Sequence, residues 1–178
     1  MNLPNRLTIL RVILVPFFVV FMLVPSFGQA GRYIALAIFI IASITDTLDG
    51  MIARRCSLIT DFGKFADPLA DKLLVSSALL CMCGDEIPVW VVIIIIARDY
   101  IINGLRIIAA DKDVVIAADI WGKAKTMTQM IMIIVLLADI DLPVFFVLGQ
   151  ILIYVSVALT VISLVESIIK NRSVFCDV

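Results

Sequence analysis

Residues 46–71 read DTLDGMIARRCSLITDFGKFADPLAD, and four of the five aspartates stand in or beside segments that are otherwise apolar: Asp46, Asp49, Asp67 and Asp71. A carboxylate at the edge of a membrane helix is energetically costly, so such groups are usually paired, metal-bound or lining a wet cavity. The spacings i, i+3 and i, i+4 would place each pair on one face of a helix. Two such helices joined by a short hairpin would direct four carboxylates at one point, as in a site for hard divalent cations.

The composition predicts a membrane protein. Of the 178 residues, 63% are hydrophobic, and the mean hydropathy of +1.17 is higher than in soluble domains. The net charge of −1 says little about partners, and we expect no nucleic-acid partner. The chain has no histidine, which excludes His-based triads and His metal ligands. Its four cysteines form no C-x-x-C pair, so we expect no zinc site.

Apolar runs of about 20 residues, the length that crosses a bilayer, recur along the whole chain. They predict six transmembrane helices at residues 7–24, 33–54, 65–83, 89–110, 122–138 and 144–169. The expected fold is therefore all-α and polytopic. No composition shift divides the chain, so we expect a single membrane domain over residues 1–178.

Lysine and arginine concentrate on one side of this six-span topology. That side carries Arg6, Arg11, Arg54, Arg55, Lys64, Lys112, Lys123, Lys125, Lys170 and Arg172. The opposite side carries Arg32 together with Asp85, Glu86, Asp139 and Asp141. Because positive charge marks cytoplasmic loops, we expect both termini in the cytoplasm. The four aspartates would then lie at the cytoplasmic end, within reach of a water-soluble substrate.

A drifting polar stripe precedes the first span. Asn5, Thr8 and Arg11 recur at every third position, which predicts a short interfacial amphipathic segment leading into the helix. These side chains either face the carboxylate cluster or anchor the helix at the lipid headgroups and set its topology.

The other residue types around the aspartates suit a phosphorylated ligand. Four carboxylates can neutralise two divalent cations, which clamp the attacking and leaving oxygens of a phosphoryl displacement. Gly50, Ala53 and Gly63 leave room for a ligand near the helix backbone, and the guanidinium of Arg54 suits a phosphate oxygen. The alternative is a structural network that pairs the aspartates with nearby cations, namely Arg54, Arg55, Lys64 and Lys72.

The pattern D-x2-D-G-x2-A-R-x8-G-x3-D-x3-D resembles the signature of the CDP-alcohol phosphotransferases, and the chain fills every position. Members of that family cleave a CDP-alcohol, release CMP and transfer the phosphatidyl or phosphoalcohol group to a hydroxyl. The resemblance implies that the four aspartates hold two divalent cations, Mg2+ or Mn2+, and that Asp71 is also the general base. It further implies a CDP-lipid site formed by Asp46, Asp49, Gly50, Ala53, Arg54, Gly63 and Asp67.

A second polar constellation indicates an acceptor that carries its own phosphate. Arg98 and Arg106 interrupt the apolar run of the fourth span, and Lys123 and Lys125 open the fifth. Converging buried cations make a phosphate pocket. Alternatively, Arg98 pairs with Asp99 or an acid of a neighbouring helix, and the two lysines are topology signals or headgroup contacts.

The stretches R-D-x4-G-L-R and G-K-x-K-T, with the opening P-N-x-L-T-x-x-R, resemble the family's members that use glycerol 3-phosphate as acceptor. Asn103 departs from the small residue expected at its position. The resemblance implies that CDP-diacylglycerol and sn-glycerol 3-phosphate give phosphatidylglycerophosphate and CMP, in phospholipid biosynthesis at the cell (inner) membrane. It also implies a homodimer.

Other functions are left open by these residues. Inositol phosphate would use a similar cationic pocket, whereas serine has no phosphate and would not need it. A cation transporter could also use intramembrane aspartates, but it would place them near the midplane of broken, symmetric helices. A non-catalytic membrane partner would leave Arg54 and the glycines unexplained.

Overall fold

Six α-helices and no β-strand are found in the residues that the computed structural model describes, which are 3–56, 61–111 and 120–171. Side chains are described for residues 8–45, 69–70, 72–107, 109 and 120–171. The helices are α1 (Leu3–Leu23), α2 (Gly28–Cys56), α3 (Asp61–Cys81), α4 (Val89–Asp111), α5 (Ile120–Ala138) and α6 (Pro143–Lys170). The predicted all-α class is confirmed.

The helix boundaries follow the breaks in the sequence. Pro25 opens one turn of 3₁₀ helix, Pro25–Phe27, directly after α1, and Pro143 occupies the first turn of α6. Proline suits these positions because the N–H groups of a first helical turn have no partner inside the helix. α2 begins at Gly28 rather than near Tyr33. Residues 28–32 are helical but not a continuous apolar run, so hydropathy does not include them.

The described residues of 1–82 and 136–139 form one compact unit, in which α1 packs against both α2 and α3. Phe18 of α1 and Phe39 of α2 are fully buried, with ring centroids 6.2 Å apart. Gly31 of α2 lies so close to α1 that a methyl group there would sit 2.5 Å from the carbonyl oxygen of Phe21. Small residues allow membrane helices this close approach.

The described residues of 83–135 and 140–171 form a second compact unit, in which α4 packs against α6. α6 buries one row of mostly small residues: Gly149, Ile153, Ser156, Thr160 and Ser163. Their alternating spacing of four and three residues keeps them on one face of the helix. This row brings hydroxyl groups into the interior of the unit.

Three stretches of the described residues are helical and apolar enough to cross a membrane: Pro25–Thr45, Ile120–Ala138 and Pro143–Lys170. Thr8–Leu23 and Lys72–Cys81 are shorter apolar helices, and α4 carries Arg98, Asp99 and Arg106 within its apolar run. The six-span topology with both termini in the cytoplasm stays a prediction, as does the single domain over residues 1–178.

Candidate active site

The four aspartates occupy two neighbouring helices of the first unit. Asp46 and Asp49 lie near the end of α2, and Asp67 and Asp71 lie in the first half of α3. The predicted helical placement of each pair is therefore confirmed, and α2 and α3 pack within one unit. The side chains of these aspartates, and the connection 57–60, lie outside the described residues. Their convergence on one point remains a prediction.

The surrounding signature residues fall on the same two helices. Gly50, Ala53 and Arg54 lie in the last turns of α2, and Gly63 lies in the first turn of α3. Their side-chain environments also lie outside the described residues, as do those of Arg55 and Lys64. The structural-network alternative is therefore untested.

The donor set of the two helices suits a hard divalent cation. Carboxylate oxygens are the ligands that Mg2+ and Mn2+ prefer, and the four aspartates of the pattern supply them from two packed helices. Among the side chains that the structure describes, no group of three or more acidic or cysteine residues could hold a metal. The metal centre in segment 46–71 stays a prediction.

The opening segment belongs to the interior of the first unit. α1 is continuous from Leu3, through Pro16, to Leu23. Thr8 and Arg11 are 1% exposed, whereas the side chain of Asn5 lies outside the described residues. A buried guanidinium contacts protein rather than headgroups, so this burial disfavours anchoring as the role of Arg11. A buried cation needs polar or acidic partners, and Arg11 does have interaction partners in the structure.

Two of the four predicted acceptor-binding cations meet at one carboxylate in the second unit. Nζ of Lys125 on α5 donates to Oδ1 of Asp99 on α4 at 2.6 Å. Nη1 of Arg98 donates to the same Oδ1 at 3.1 Å. The side chains of Lys125, Arg98 and Asp99 are 2%, 11% and 19% exposed. The pairing of Arg98 with Asp99 was one of the two expectations for this arginine, and it occurs.

The side chains of Arg98, Asp99 and Lys125 form a cluster, and these three sum to one positive charge, since two cations share one carboxylate. Desolvated cations attract anions far more strongly than exposed ones, because the surrounding dielectric constant is low. An acceptor phosphate is therefore a chemically suitable ligand for the cluster.

The other two predicted cations are placed differently. Arg106 on α4 and Lys123 on α5 are exposed, and no ion pair is found for either within the described part of the chain. Asn103, which departs from the family pattern, is half-buried on α4. The structure therefore brings Arg98 and Lys125 together through Asp99 and leaves Arg106 and Lys123 at the surface of the unit.

Sequence reasoning missed a contribution from α6. Nε of Arg98 donates to Oγ of Ser163 at 3.1 Å, and Oγ of Ser163 donates to the backbone oxygen of Thr160 at 3.1 Å. Ser163 is 0% exposed. Hydroxyl-bearing residues at alternating spacings of three and four within an apolar helix were the available signal, because polar groups on such a helix usually face its partners.

Gly122 makes room for the guanidinium of Arg98. A methyl group added at Gly122 would lie 3.3 Å from Nη2 of Arg98. The glycine of the G-K-x-K-T stretch thus allows α5 to approach this side chain closely.

Comparison with known proteins gives matches along most of the chain. The CDP-alcohol phosphatidyltransferase family matches residues 1–162. A protein of Bacillus subtilis is 42% identical over 184 aligned positions, covering 96% of this chain and 95% of its own length. A protein of Haemophilus influenzae is 42% identical over 135 positions (73% and 72%), and one of Rickettsia typhi is 36% identical over 169 (91% and 92%). All three are named CDP-diacylglycerol–glycerol-3-phosphate 3-phosphatidyltransferase.

Proposed function

The chain belongs to the CDP-alcohol phosphatidyltransferase family, and from this membership we propose that it transfers a phosphatidyl group from CDP-diacylglycerol to sn-glycerol 3-phosphate. The products are phosphatidylglycerophosphate and CMP. The sequence-based prediction of the family is confirmed, and the names of the relatives support the predicted acceptor. The reaction is a step of phospholipid biosynthesis.

The observation that carries this acceptor is the buried cluster of Arg98, Asp99 and Lys125. Two buried or mostly buried cations share one carboxylate there, so these three side chains together carry one positive charge. A positively charged, poorly hydrated cluster attracts an anion, and the phosphate of glycerol 3-phosphate is one. Serine has no phosphate and would leave the charge unused.

The proposed metal site is formed by Asp46, Asp49, Asp67 and Asp71. Two divalent cations there, Mg2+ or Mn2+, would neutralise the pyrophosphate and polarise its phosphorus. The carboxylate set fits such cations in charge and in donor type. Gly50, Ala53, Arg54 and Gly63 would lie beside the cytidine and pyrophosphate, with the arginine contacting phosphate oxygens.

The chain's own groups then perform positioning and proton transfer. Arg98 and Lys125, supported at the surface by Arg106 and Lys123, hold the acceptor phosphate. A carboxylate oxygen of Asp71 takes the proton of the 1-hydroxyl of glycerol 3-phosphate. At the same time the oxygen of that hydroxyl forms its bond to the lipid phosphorus. The phosphorus–oxygen bond to CMP breaks in the same displacement. Holding the reactants together contributes much of the acceleration in such reactions.

The proposed setting is the cytoplasmic (inner) membrane, with several spans and the active site facing the cytoplasm. The asymmetric distribution of lysine and arginine supports this orientation, and the lipid chains of the donor would stay in the bilayer. We also propose a homodimer, which the family resemblance supports.

An acceptor panel tests this proposal. The purified protein, with CDP-diacylglycerol and Mg2+, is offered glycerol 3-phosphate, inositol 1-phosphate or serine, and CMP release is measured. CMP release with glycerol 3-phosphate is expected. Turnover with inositol phosphate alone would show that the acceptor is inositol phosphate rather than glycerol 3-phosphate. The proposed phosphatidyl transfer would stand. No CMP with any acceptor would rule out the enzyme and favour a transporter or a binding protein.

A further inference from the structure

We propose that Ser163 of α6 is a positioning residue for the acceptor phosphate, because it holds the guanidinium of Arg98 with one nitrogen free for that phosphate. The inference rests on the proposed function of Arg98. The sequence shows no motif after Thr126. The inference therefore assigns α6 a role that the sequence does not indicate.

Arg98 is held at two of its three nitrogens. Nε donates to Oγ of Ser163 at 3.1 Å, and Nη1 donates to Oδ1 of Asp99 at 3.1 Å. Within the described part of the chain, Nη2 donates no hydrogen bond. Because a guanidinium is planar and rigid, fixing Nε and Nη1 also fixes the direction in which Nη2 donates.

Ser163 is well suited to this role because both functions of its hydroxyl are used. Its proton is donated to the backbone oxygen of Thr160, so its lone pairs face the donor, Nε of Arg98. The hydroxyl therefore acts as an acceptor toward Arg98. An arginine without this acceptor would keep its charge and its partner Asp99 but would lose one fixed point.

The other hydroxyls in the buried row of α6 do not reach Arg98. The hydroxyl of Thr160 donates to the backbone oxygen of Ser156 at 2.6 Å, within the same helix. Oγ of Ser156 is buried and has no hydrogen-bond partner among the described residues. Ser156 is thus a matched control for Ser163, since both are 0% exposed serines on one face of one helix.

Gly122 of α5 lies beside Nη2, the nitrogen of Arg98 that donates no hydrogen bond in the described part of the chain. A methyl group at Gly122 would stand 3.3 Å from Nη2, which is close enough to displace the guanidinium by a few tenths of an ångström. The three neighbours of Arg98 therefore have separate roles: Asp99 and Ser163 hold it, and Gly122 lets α5 lie beside Nη2 without displacing it.

The first test compares Ser163→Ala with Ser156→Ala in the full-length protein, in CMP-release assays with CDP-diacylglycerol and glycerol 3-phosphate. Ser163→Ala should raise the KM for glycerol 3-phosphate about tenfold, as expected for a lost hydrogen bond to a charged group. The KM for CDP-diacylglycerol should stay close to that of Ser156→Ala, whereas the melting temperature should be lower in Ser163→Ala, because the buried Nε of Arg98 loses its acceptor. Ser163→Thr, which keeps the hydroxyl, should restore most of the affinity.

Equal acceptor KM values for Ser163→Ala and Ser156→Ala would overturn the inference, as would a lower melting temperature with an unchanged acceptor KM. A wild-type protein that releases no CMP with glycerol 3-phosphate would instead remove the proposed function.

The second test does not depend on how well Ser163→Ala folds. Gly122→Ala should raise the acceptor KM by about two- to fivefold, because small misplacements of a binding group weaken productive positioning. Gly104→Ala adds the same methyl group to α4 in a place with no atom within 4 Å, so its acceptor KM should match the wild type. An unchanged KM in Gly122→Ala would contradict the proposed role of Nη2.

Discussion

Nζ of Lys125 and Oδ1 of Asp99 lie 2.6 Å apart and join α5 to α4 in the interior of the second unit. The same carboxylate oxygen accepts a hydrogen bond from Arg98. One acid thus compensates two cations that the protein removes from solvent. The pairing gives both cations a counter-charge inside the protein.

Asp99→Asn should destabilise the protein by about 3 kcal/mol, because it leaves two mostly buried cations without their shared counter-charge. A lower melting temperature in detergent would show this. Asp139→Asn is the control: Asp139 is 53% exposed and 3.6 Å from Arg32, and such pairs contribute roughly 0–1 kcal/mol. Asparagine also tolerates the positive φ of 44° at this position. Equal stability of the two variants would contradict the role of Asp99.

Lys125→Ala should weaken acceptor binding far more than Lys123→Ala. Lys125 is 2% exposed and held by Asp99, whereas Lys123 is exposed and its field is screened by water and salt. We expect the KM for glycerol 3-phosphate to rise roughly tenfold or more in Lys125→Ala and by about threefold or less in Lys123→Ala. The reverse order would show that the surface lysine makes the main phosphate contact.

Asp71→Asn should abolish turnover and keep CDP-diacylglycerol binding, because the amide resembles the carboxylate in shape but cannot take a proton. The assay is CMP release together with equilibrium binding of the CDP-lipid. Asp46→Asn should instead raise the Mg2+ concentration needed for half-maximal activity, since it removes one charged ligand. An active Asp71→Asn variant would transfer the role of base to another residue.

Arg32→Ala should lower stability without affecting CMP release. Arg32 donates to the backbone oxygens of Leu136 at 2.5 Å and Leu137 at 3.3 Å at the end of α5, where carbonyls lack the usual partner within the helix. The oxygen of Leu136 also accepts from the backbone N–H of Asp139 at 3.2 Å. Loss of the two bonds from Arg32 should cost about 1–3 kcal/mol, visible as a lower melting temperature. Lys170→Ala, which breaks the exposed pair with Glu166, should change stability by roughly 0.5 kcal/mol or less. A loss of activity in Arg32→Ala at a temperature where it is folded would contradict a purely structural role.

The helices could be predicted from the sequence because their signals are local. The apolar run of α1 ends before Pro25, and that of α6 begins at Pro143. The observed helix ends lie close to the predicted ones. The family pattern in residues 46–71 also required no tertiary information, since it consists of fixed spacings along two consecutive helices. The burial of Arg11 was not predictable, because a polar stripe at the start of a helix suits headgroups and a protein interior equally well.

Residue chemistry and spacing alone determined that this chain is helical, with apolar spans, and that its motif resembles that of the CDP-alcohol phosphatidyltransferases, since hydropathy and motif spacing act within a few helical turns. The two-metal site stays a prediction. The tertiary structure alone decided which charges meet. Asp99 and Lys125 are 26 residues apart, and Arg98 and Ser163 are 65 apart. Such contacts depend on how helices pack, on the room left by Gly122 and on the small-residue row of α6. No local pattern specifies that packing, because the same residues on separate helices could pair with lipid, with water or with one another.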